Sequence, residues 1–193
     1  IECYGNDQIE TPALHALADE SFVFEHAYVS QPVCSPSRAT MLCGLYPHTA
    51  RVPACNVSLP QDVKTIAELV TNDYRCAYIG KWHLGDEIFP QHGFTEWIGT
   101  EDSYRQFFSS SEQPQHLSEY HHFLVAQGVE PDSESFGQQI FSRYLQASQK
   151  EELTNASFQG DRAVQFIRES VDQPFMLVVS YLETRRTQDH RKI

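Results

Sequence analysis

Pro32-Val33-Cys34-Ser35-Pro36-Ser37-Arg38-Ala39-Thr40 is the stretch from which the rest of the chain can be read. It sets a thiol just before an expected helix start, with Pro36 as an early helical residue and Arg38 four positions after Cys34. Proline is tolerated in a first helical turn because its missing N–H would have no partner there. A helix beginning at about Ser35 places Cys34 at its positive end, where orphan N–H groups and the macrodipole favour an anion. One turn of spacing lets the Arg38 guanidinium reach back over the same spot. The plainer alternative is a buried thiol beside an ordinary cap, since most cysteines are structural and short patterns match by chance.

Composition narrows the partners. The 193 residues suffice for one good-sized core or two small ones. A hydrophobic content of 40% and an aromatic content of 12% belong to a globular domain rather than a disordered one. The longest apolar run, Phe175 to Val179, is strand-sized and far below the roughly 20 residues that span a bilayer, so no membrane span is expected. A formal charge of −12 argues against a nucleic-acid partner. An anionic substrate would then need a local basic pocket inside a negative envelope. Cys3, Cys34, Cys43, Cys55 and Cys76 form no C-x-x-C pair, which disfavours zinc. Their odd number leaves at least one thiol outside any disulfide set, and Cys34 is the candidate.

Outward from the Cys34 stretch, Thr11-Pro12 predicts a capped helix with Leu14, Leu17 and Ala18 as its apolar stripe. Ser21 to Val29 alternates and predicts a strand with Phe22, Phe24 and Ala27 inward. The Cys34 helix should stop at Gly44. Arg51 to Gln61 is a loop, Thr65 to Thr71 a short helix and Arg75 to Ile79 a short strand. Gly93 to Gly99 is expected as a turn-rich link. Residues 101–119 lack periodicity; with helices over Tyr120 to Ala126 and Ile140 to Gln149, they form a variable insertion at about 101–150. Gly160 to Ser170 predicts a helix with Ala163, Val164 and Ile167 inward, broken by Gln173-Pro174 before an apolar strand at Phe175 to Leu182. Asn56-Val57-Ser58 and Asn155-Ala156-Ser157 match the N-glycosylation pattern, with chance sequons the competing account. Helices alternating with short apolar strands give an α/β layered fold without a clear internal boundary. The chain opens on Ile1-Glu2-Cys3 without initiator Met or signal peptide and closes on Arg191-Lys192-Ile193, so both ends are expected to be cut from something longer.

Tyr78-Ile79-Gly80-Lys81-Trp82-His83-Leu84-Gly85 is the second chemical stretch. Lys81 and His83 are two apart, so on extended backbone they point to the same side. They would lie at the C-terminal end of the Arg75–Ile79 strand, where open α/β sheets bind ligands. A lysine can clamp an anionic oxygen and a histidine can donate a hydrogen bond or shuttle a proton. A surface lysine and a packed histidine are the structural alternative.

Taken in order, Cys34-Ser35-Pro36-Ser37-Arg38-Ala39-Thr40, Gly44-Leu45-Tyr46-Pro47-His48 and Gly80-Lys81-Trp82-His83-Leu84-Gly85 closely resemble the type I, formylglycine-dependent sulfatases of the alkaline-phosphatase superfamily. Cys3-Tyr4-Gly5-Asn6, Thr11-Pro12 and His92-Gly93-Phe94 extend the resemblance, which runs from residue 2 to about 99 and resumes from Asp161 to Asp189. The resemblance implies an alkaline-phosphatase-like layered fold: a central, mostly parallel sheet with helices on both faces, lacking its first strand and C-terminal part. Residues 1–193 would then be a partial N-terminal catalytic domain.

It also implies a chemistry. A maturation enzyme would oxidise Cys34 to formylglycine, and one hydroxyl of the aldehyde hydrate would attack sulfur and expel the alcohol. The second hydroxyl would collapse to the aldehyde and release sulfate. Arg38 would hold the hydrate and the metal-side charge. Lys81 would bind sulfate oxygens. His83 would hydrogen-bond the hydrate and act as a base. The substrate would be a sulfated small molecule or glycan, and an exported location, periplasmic or extracellular, would fit the family. The family's divalent cation, usually Ca2+ with Mg2+ as an alternative, takes oxygen ligands. The resemblance places those ligands outside this chain except for modified Cys34, so the chain alone is expected to be inactive. Arg185 stands where many relatives carry a sulfate-contacting histidine; it could bind sulfate but not protonate a leaving group. A phosphonate or phosphate ester hydrolase of the same superfamily and a truncated, non-catalytic remnant are the competing functions.

Overall fold

The protein is described by a computed structural model that covers residues 1–6, 8–109 and 115–182. Its contacts divide into two units, Ile1–Ser30 and Gln31–Ile193.

In the first unit a single 3-10 turn, Glu2–Tyr4, precedes helix α1, Pro12–Asp19. Proline opens α1 as the sequence predicts, but Thr11 does not cap it by side chain. The Thr11 hydroxyl instead accepts the Glu2 N–H at 3.2 Å, while the Thr11 N–H donates to Glu2 Oε2 at 3.0 Å. Residues 21–29 are not a strand. Alternation supplies a face but not a ladder: no described strand pairs with this segment, and Phe22, Phe24 and Tyr28 are exposed.

The second unit carries helix α2 (Cys34–Cys43) and strand β1 (Arg75–Gly80), the centre of a three-stranded parallel sheet. The sheet is completed by β2 (Glu96–Ile98) and, in the order β2-β1-β5, by the last strand of the described chain, Phe175–Ser180. Tyr78 is in register with Trp97 on one side and Val178 on the other. β2 overturns the expected Gly93–Gly99 link. Three residues are too few to show a period, yet the parallel pairing is real because Trp97 stacks on Tyr78 at 4.9 Å.

Between β2 and the last strand come helix α3 (Glu119–Ala126), an antiparallel hairpin of β3 (Ser133–Ser135) and β4 (Gln138–Ile140), and the short helix α4 (Arg143–Ala147). The expected Ile140–Gln149 helix is therefore reduced to Arg143–Ala147. Phe136 and Gly137, at φ 52° and 71°, form the hairpin turn that ends with Ile140 as strand. Helix α5 (Asn155–Glu169) starts earlier than predicted, capped by Thr154, whose hydroxyl accepts the Ser157 N–H. Its inner face is Asn155, Phe158, Gln159, Ala163 and Phe166, while Val164 and Ile167 are half exposed. The two phenylalanines and Ala163 fix the orientation, and Val164 lies a hundred degrees around from Ala163. β5 (Phe175–Ser180) is half-buried rather than fully enclosed.

Strand alternation sends β1 side chains to two layers. Cys76 and Tyr78 join Ala39 and Leu42 of α2, Trp82, Phe94 and Trp97 in one core. Ala77 and Ile79 face the opposite side, where α3 and α5 pack Tyr120, Leu124 and Phe158 into a second core. A groove of about 710 Å³ between the sheet and α3 and α5 lies on this second side, away from Cys34, Lys81 and His83.

Gly80 ends β1 at φ 102°, and a Cβ there would sit 2.3 Å from the Ser180 carbonyl oxygen and 2.5 Å from Gln159 Oε1. Only glycine lets β1 turn this close to β5 and α5. Replacing Gly80 by alanine is expected to cost more than ~2 kcal/mol by denaturant unfolding. Gly128→Ala, which meets nothing within 4 Å among the described residues, should cost about 1 kcal/mol from its positive φ alone. Equal losses would refute the close-approach account.

Candidate active site

α2 begins at Cys34 itself, with Val33 as an extended N-cap (φ −130°, ψ 147°), and ends at Gly44 in the left-handed region, φ 71°. Cys34 thus occupies the first helical position, the helix beginning one residue before the expected start at Ser35. First-turn amides have no intrahelical acceptor, so the half-buried thiol stands where a negative group is favoured.

Two side chains flanking Cys34 on the helix tie it to the Lys81–His83 turn. The Ser35 hydroxyl donates to the His83 carbonyl at 2.8 Å and accepts the Asn56 N–H at 3.1 Å. Arg38 Nη1 donates to the Lys81 carbonyl at 2.8 Å, the Ser180 hydroxyl at 2.7 Å and the Tyr78 hydroxyl at 3.3 Å. The guanidinium expected over Cys34 therefore directs Nη1 onto the C-terminal ends of β1 and β5.

β1 stops at Gly80, so Lys81-Trp82-His83 lies just beyond the strand, outside regular secondary structure. His83 is left-handed, φ 58°, an uncommon conformation for a side-chain-bearing residue. Glu87 holds it there. Its two carboxyl oxygens accept the Trp82 N–H at 2.7 Å and the His83 N–H at 2.6 Å. The Trp82 side chain is driven into the core, packed on Tyr78 and Trp97. Lys81 and His83 meet one ring, as the expected same-side placement has it, with the Lys81 ammonium 4.5 Å and the His83 ring 4.2 Å from the centre of Tyr104. His83 Nε2 lies 2.7 Å from Asn56 Oδ1.

Lys81 is enclosed, its side chain 1% exposed. Nζ donates to the Tyr104 hydroxyl at 3.1 Å and lies 3.9 Å from Glu101 Oε2, itself on a side chain 1% exposed. Arg143 of α4 reaches the same two groups, donating from Nη2 to Glu101 Oε2 at 2.8 Å and to the Tyr104 hydroxyl at 3.1 Å. Burial, with the neighbouring Glu101 charge second, pushes the Glu87 carboxyl up to about 7. A small cleft bounded by Asn56, Ser58, His83, Glu87, Tyr104 and Phe107 opens beside the histidine.

Helix α2, with Cys34 and Arg38, is thus joined to the backbone of Lys81 and His83 just beyond the C-terminal end of β1, whereas Arg185 lies outside the described residues. Asn56, Glu87, Tyr104, Glu101 and Arg143 were not foreseen. Asn56 was visible only as a sequon, and its amide oxygen is engaged by His83. The other sequon asparagine, Asn155, is 3% exposed and its side-chain oxygen accepts from Gln159, which supports the chance account there. Among the described residues no three His, Cys, Asp or Glu side chains converge as a metal site.

The family model described as Sulfatase matches residues 1–188. Human N-acetylgalactosamine-6-sulfatase is 36% identical over 114 residues, covering 50% of this chain and 22% of that protein. An uncharacterized sulfatase of Escherichia coli (strain K12) is 29% identical over 189 residues, 95% of this chain and 35% of its own. Among solved structures, a protein in complex with its substrate D-glucosamine-2-N,6-O-disulfate superposes with a TM-score of 0.58 at 25% identity, covering 92% of this chain and 30% of that one. The chain spans about a third or less of the length of these relatives.

Glu87 makes stability depend on pH. Its carboxyl titrates near 7 in the folded chain against an ordinary 4.5, so the native state holds the extra proton between those values. Stability must then fall as pH rises through that window, by on the order of 3 kcal/mol for the whole shift. Guanidinium unfolding at pH 5 and pH 8 should show this loss in the wild type and a much smaller one in Glu87→Gln. An identical loss in both proteins would assign the slope to another group.

Proposed function

The chain belongs to the sulfatase family and has its alkaline-phosphatase-like α/β fold, and from that premise we propose that the protein carrying it hydrolyses sulfate esters through residue 34. The observation that supports this reading is the stitching of α2, which begins at Cys34, to the backbone of Lys81 and His83 by Ser35 and Arg38. The first helical position of Cys34 suits a group that must bear negative charge. Oxidised to formylglycine by a maturation enzyme, residue 34 supplies a hydrated aldehyde as the nucleophile.

The other residues follow from their surroundings. Lys81, whose Nζ donates to the Tyr104 hydroxyl, meets the anionic oxygens of the sulfate ester in exchange for that contact and stabilises the charge that grows on them as the ester bond breaks. His83, whose Nε2 is held by Asn56, accepts or returns a proton at the other ring nitrogen or after releasing that contact. Arg38 fixes the Lys81 carbonyl and hence the direction of its side chain. Arg185 is a further candidate for the sulfate oxygens. A divalent cation, Ca2+ or Mg2+, belongs to the family's chemistry, and its ligands other than residue 34 would come from outside this chain; no step is derived through it.

The substrate class is a sulfated sugar or aryl alcohol. A relative acting on N-acetylgalactosamine 6-sulfate by its name and a fold neighbour bound to a disulfated glucosamine favour the sugar. Residues 101–150, which supply Glu101, Tyr104 and Arg143 to the site, form the variable insertion of a partial catalytic domain. An exported location fits the family, and among the described residues no helix is long and apolar enough to cross a membrane.

The full-length protein, co-expressed with a formylglycine-generating enzyme, should show the mass loss of cysteine conversion in the Cys34 peptide and release sulfate from an aryl or sugar sulfate. Cys34→Ala should abolish turnover, and Lys81→Ala or His83→Ala should each lower kcat by ~100-fold or more. Faster turnover of a matched aryl phosphonate would transfer the protein to that branch of the superfamily. Persistently unmodified Cys34 would remove the catalytic claim and leave the fold.

A further inference from the structure

We propose that Arg143 is a positioning residue that takes up the charge of Glu101 and so keeps Lys81 available to the anionic group of the substrate; this rests on the sulfatase reading above. The two cations compete for one oxygen. Glu101 Oε2 lies 2.8 Å from Arg143 Nη2, a hydrogen bond, and 3.9 Å from Lys81 Nζ, beyond hydrogen-bond range. Both also donate to the Tyr104 hydroxyl, at 3.1 Å each. A carboxylate as buried as Glu101 must be paired, and a planar guanidinium is the better partner because its donors match carboxylate geometry.

With Arg143 in place, two cations share one carboxylate oxygen, and Lys81 is oriented by Glu101 without being hydrogen-bonded to it. Without Arg143, Glu101 and Lys81 are left as a one-to-one buried pair. An incoming sulfate ester would then have to displace a carboxylate from the ammonium.

Arg143 is placed for this. It is the first residue of α4, whose N-cap Ser142 is held through its N–H and hydroxyl by both oxygens of Asp132, at 2.6 and 2.5 Å. Its side chain is 43% exposed, so it meets the Lys81–Glu101 pair from the solvent side. Glu87, the other buried carboxylate in the same field, is occupied by the Trp82 and His83 amides and does not relieve Lys81 of Glu101. The insertion would thus supply both the carboxylate that restrains the lysine and the arginine that loosens that restraint.

The test is a rescue. In the matured full-length protein, Arg143→Met should raise KM for an aryl sulfate by about tenfold with kcat little changed, whereas Arg143→Lys, which keeps the charge, should lie near wild type. Adding Glu101→Gln to Arg143→Met should restore KM, because the competitor is gone. Binding of inorganic sulfate, followed by the Lys81 side-chain 1H–15N signal, should show the same order: wild type and double variant tight, Arg143→Met about tenfold weaker. An Arg143→Met protein that binds sulfate like wild type overturns the proposal, as does a double variant that stays as weak as the single one. If the wild type turns over no sulfate ester, the functional reading fails, and the sulfate-binding series still decides the role of Arg143.

Discussion

Two hydrogen bonds from one helix to one turn carry the site: Ser35 to the His83 carbonyl and Arg38 to the Lys81 carbonyl, across 48 and 43 residues of sequence. Their donors are three apart on α2 and therefore share a face. Their acceptors are main-chain oxygens two apart, just beyond β1. Because the bonds use backbone on the turn side, the Lys81 and His83 side chains are left to other groups. Arg38 adds the Ser180 hydroxyl at the end of β5, so one guanidinium joins a helix and the ends of two parallel strands. Cys34 opens the helix that these bonds hold.

The backbone around Lys81–His83 takes uncommon conformations. Gly80, His83 and Asn56 all have positive φ, at 102°, 58° and 62°. Such conformations persist where the surroundings over-determine them. Here three things do so: Trp82 is sunk in the aromatic core, Glu87 accepts the Trp82 and His83 amides, and Ser35 holds the His83 carbonyl. The Lys-Trp-His order reads accordingly. The middle residue is an anchor pointing into the core, and its neighbours are turned together onto Tyr104.

What the sequence discloses follows how local each determinant is. α2 was legible because its proline, its glycine stop and its thiol lie within a dozen residues, and β1 because an apolar run, Cys76 to Ile79, is bounded by Arg75 and Gly80. β2 was not, since Trp97 becomes a strand residue only through Tyr78 beside it. Residues 21–29 show the converse, an alternating pattern with no described partner strand. The same division runs through the site. Cys34, Arg38, Lys81 and His83 belong to contiguous motifs, whereas Glu101 and Arg143 meet across 42 residues and Asn56 and His83 across 27. No spacing rule encodes those pairs, because the intervening chain is a hairpin, helices and loops whose lengths are free to vary.

The acidity of the chain, −12 overall, continues into the site itself, where two carboxylates lie near the cations that would meet an anion. The arrangement is coherent once desolvation is counted. An ammonium buried as deeply as Lys81 loses its water, and a carboxylate nearby offsets that loss. The same carboxylate would cancel the attraction for sulfate if it were bonded to the lysine directly. Distance resolves the conflict: at 3.9 Å Glu101 stabilises the ammonium without saturating its donors, while Arg143 and Tyr104 take the closer contacts. Glu87 acts in the same direction by a different route, since its two amide donors satisfy its oxygens and its carboxyl is protonated more readily than an exposed one. As pH falls through about 7 that charge is lost, and the field at Lys81 becomes more favourable to an anion.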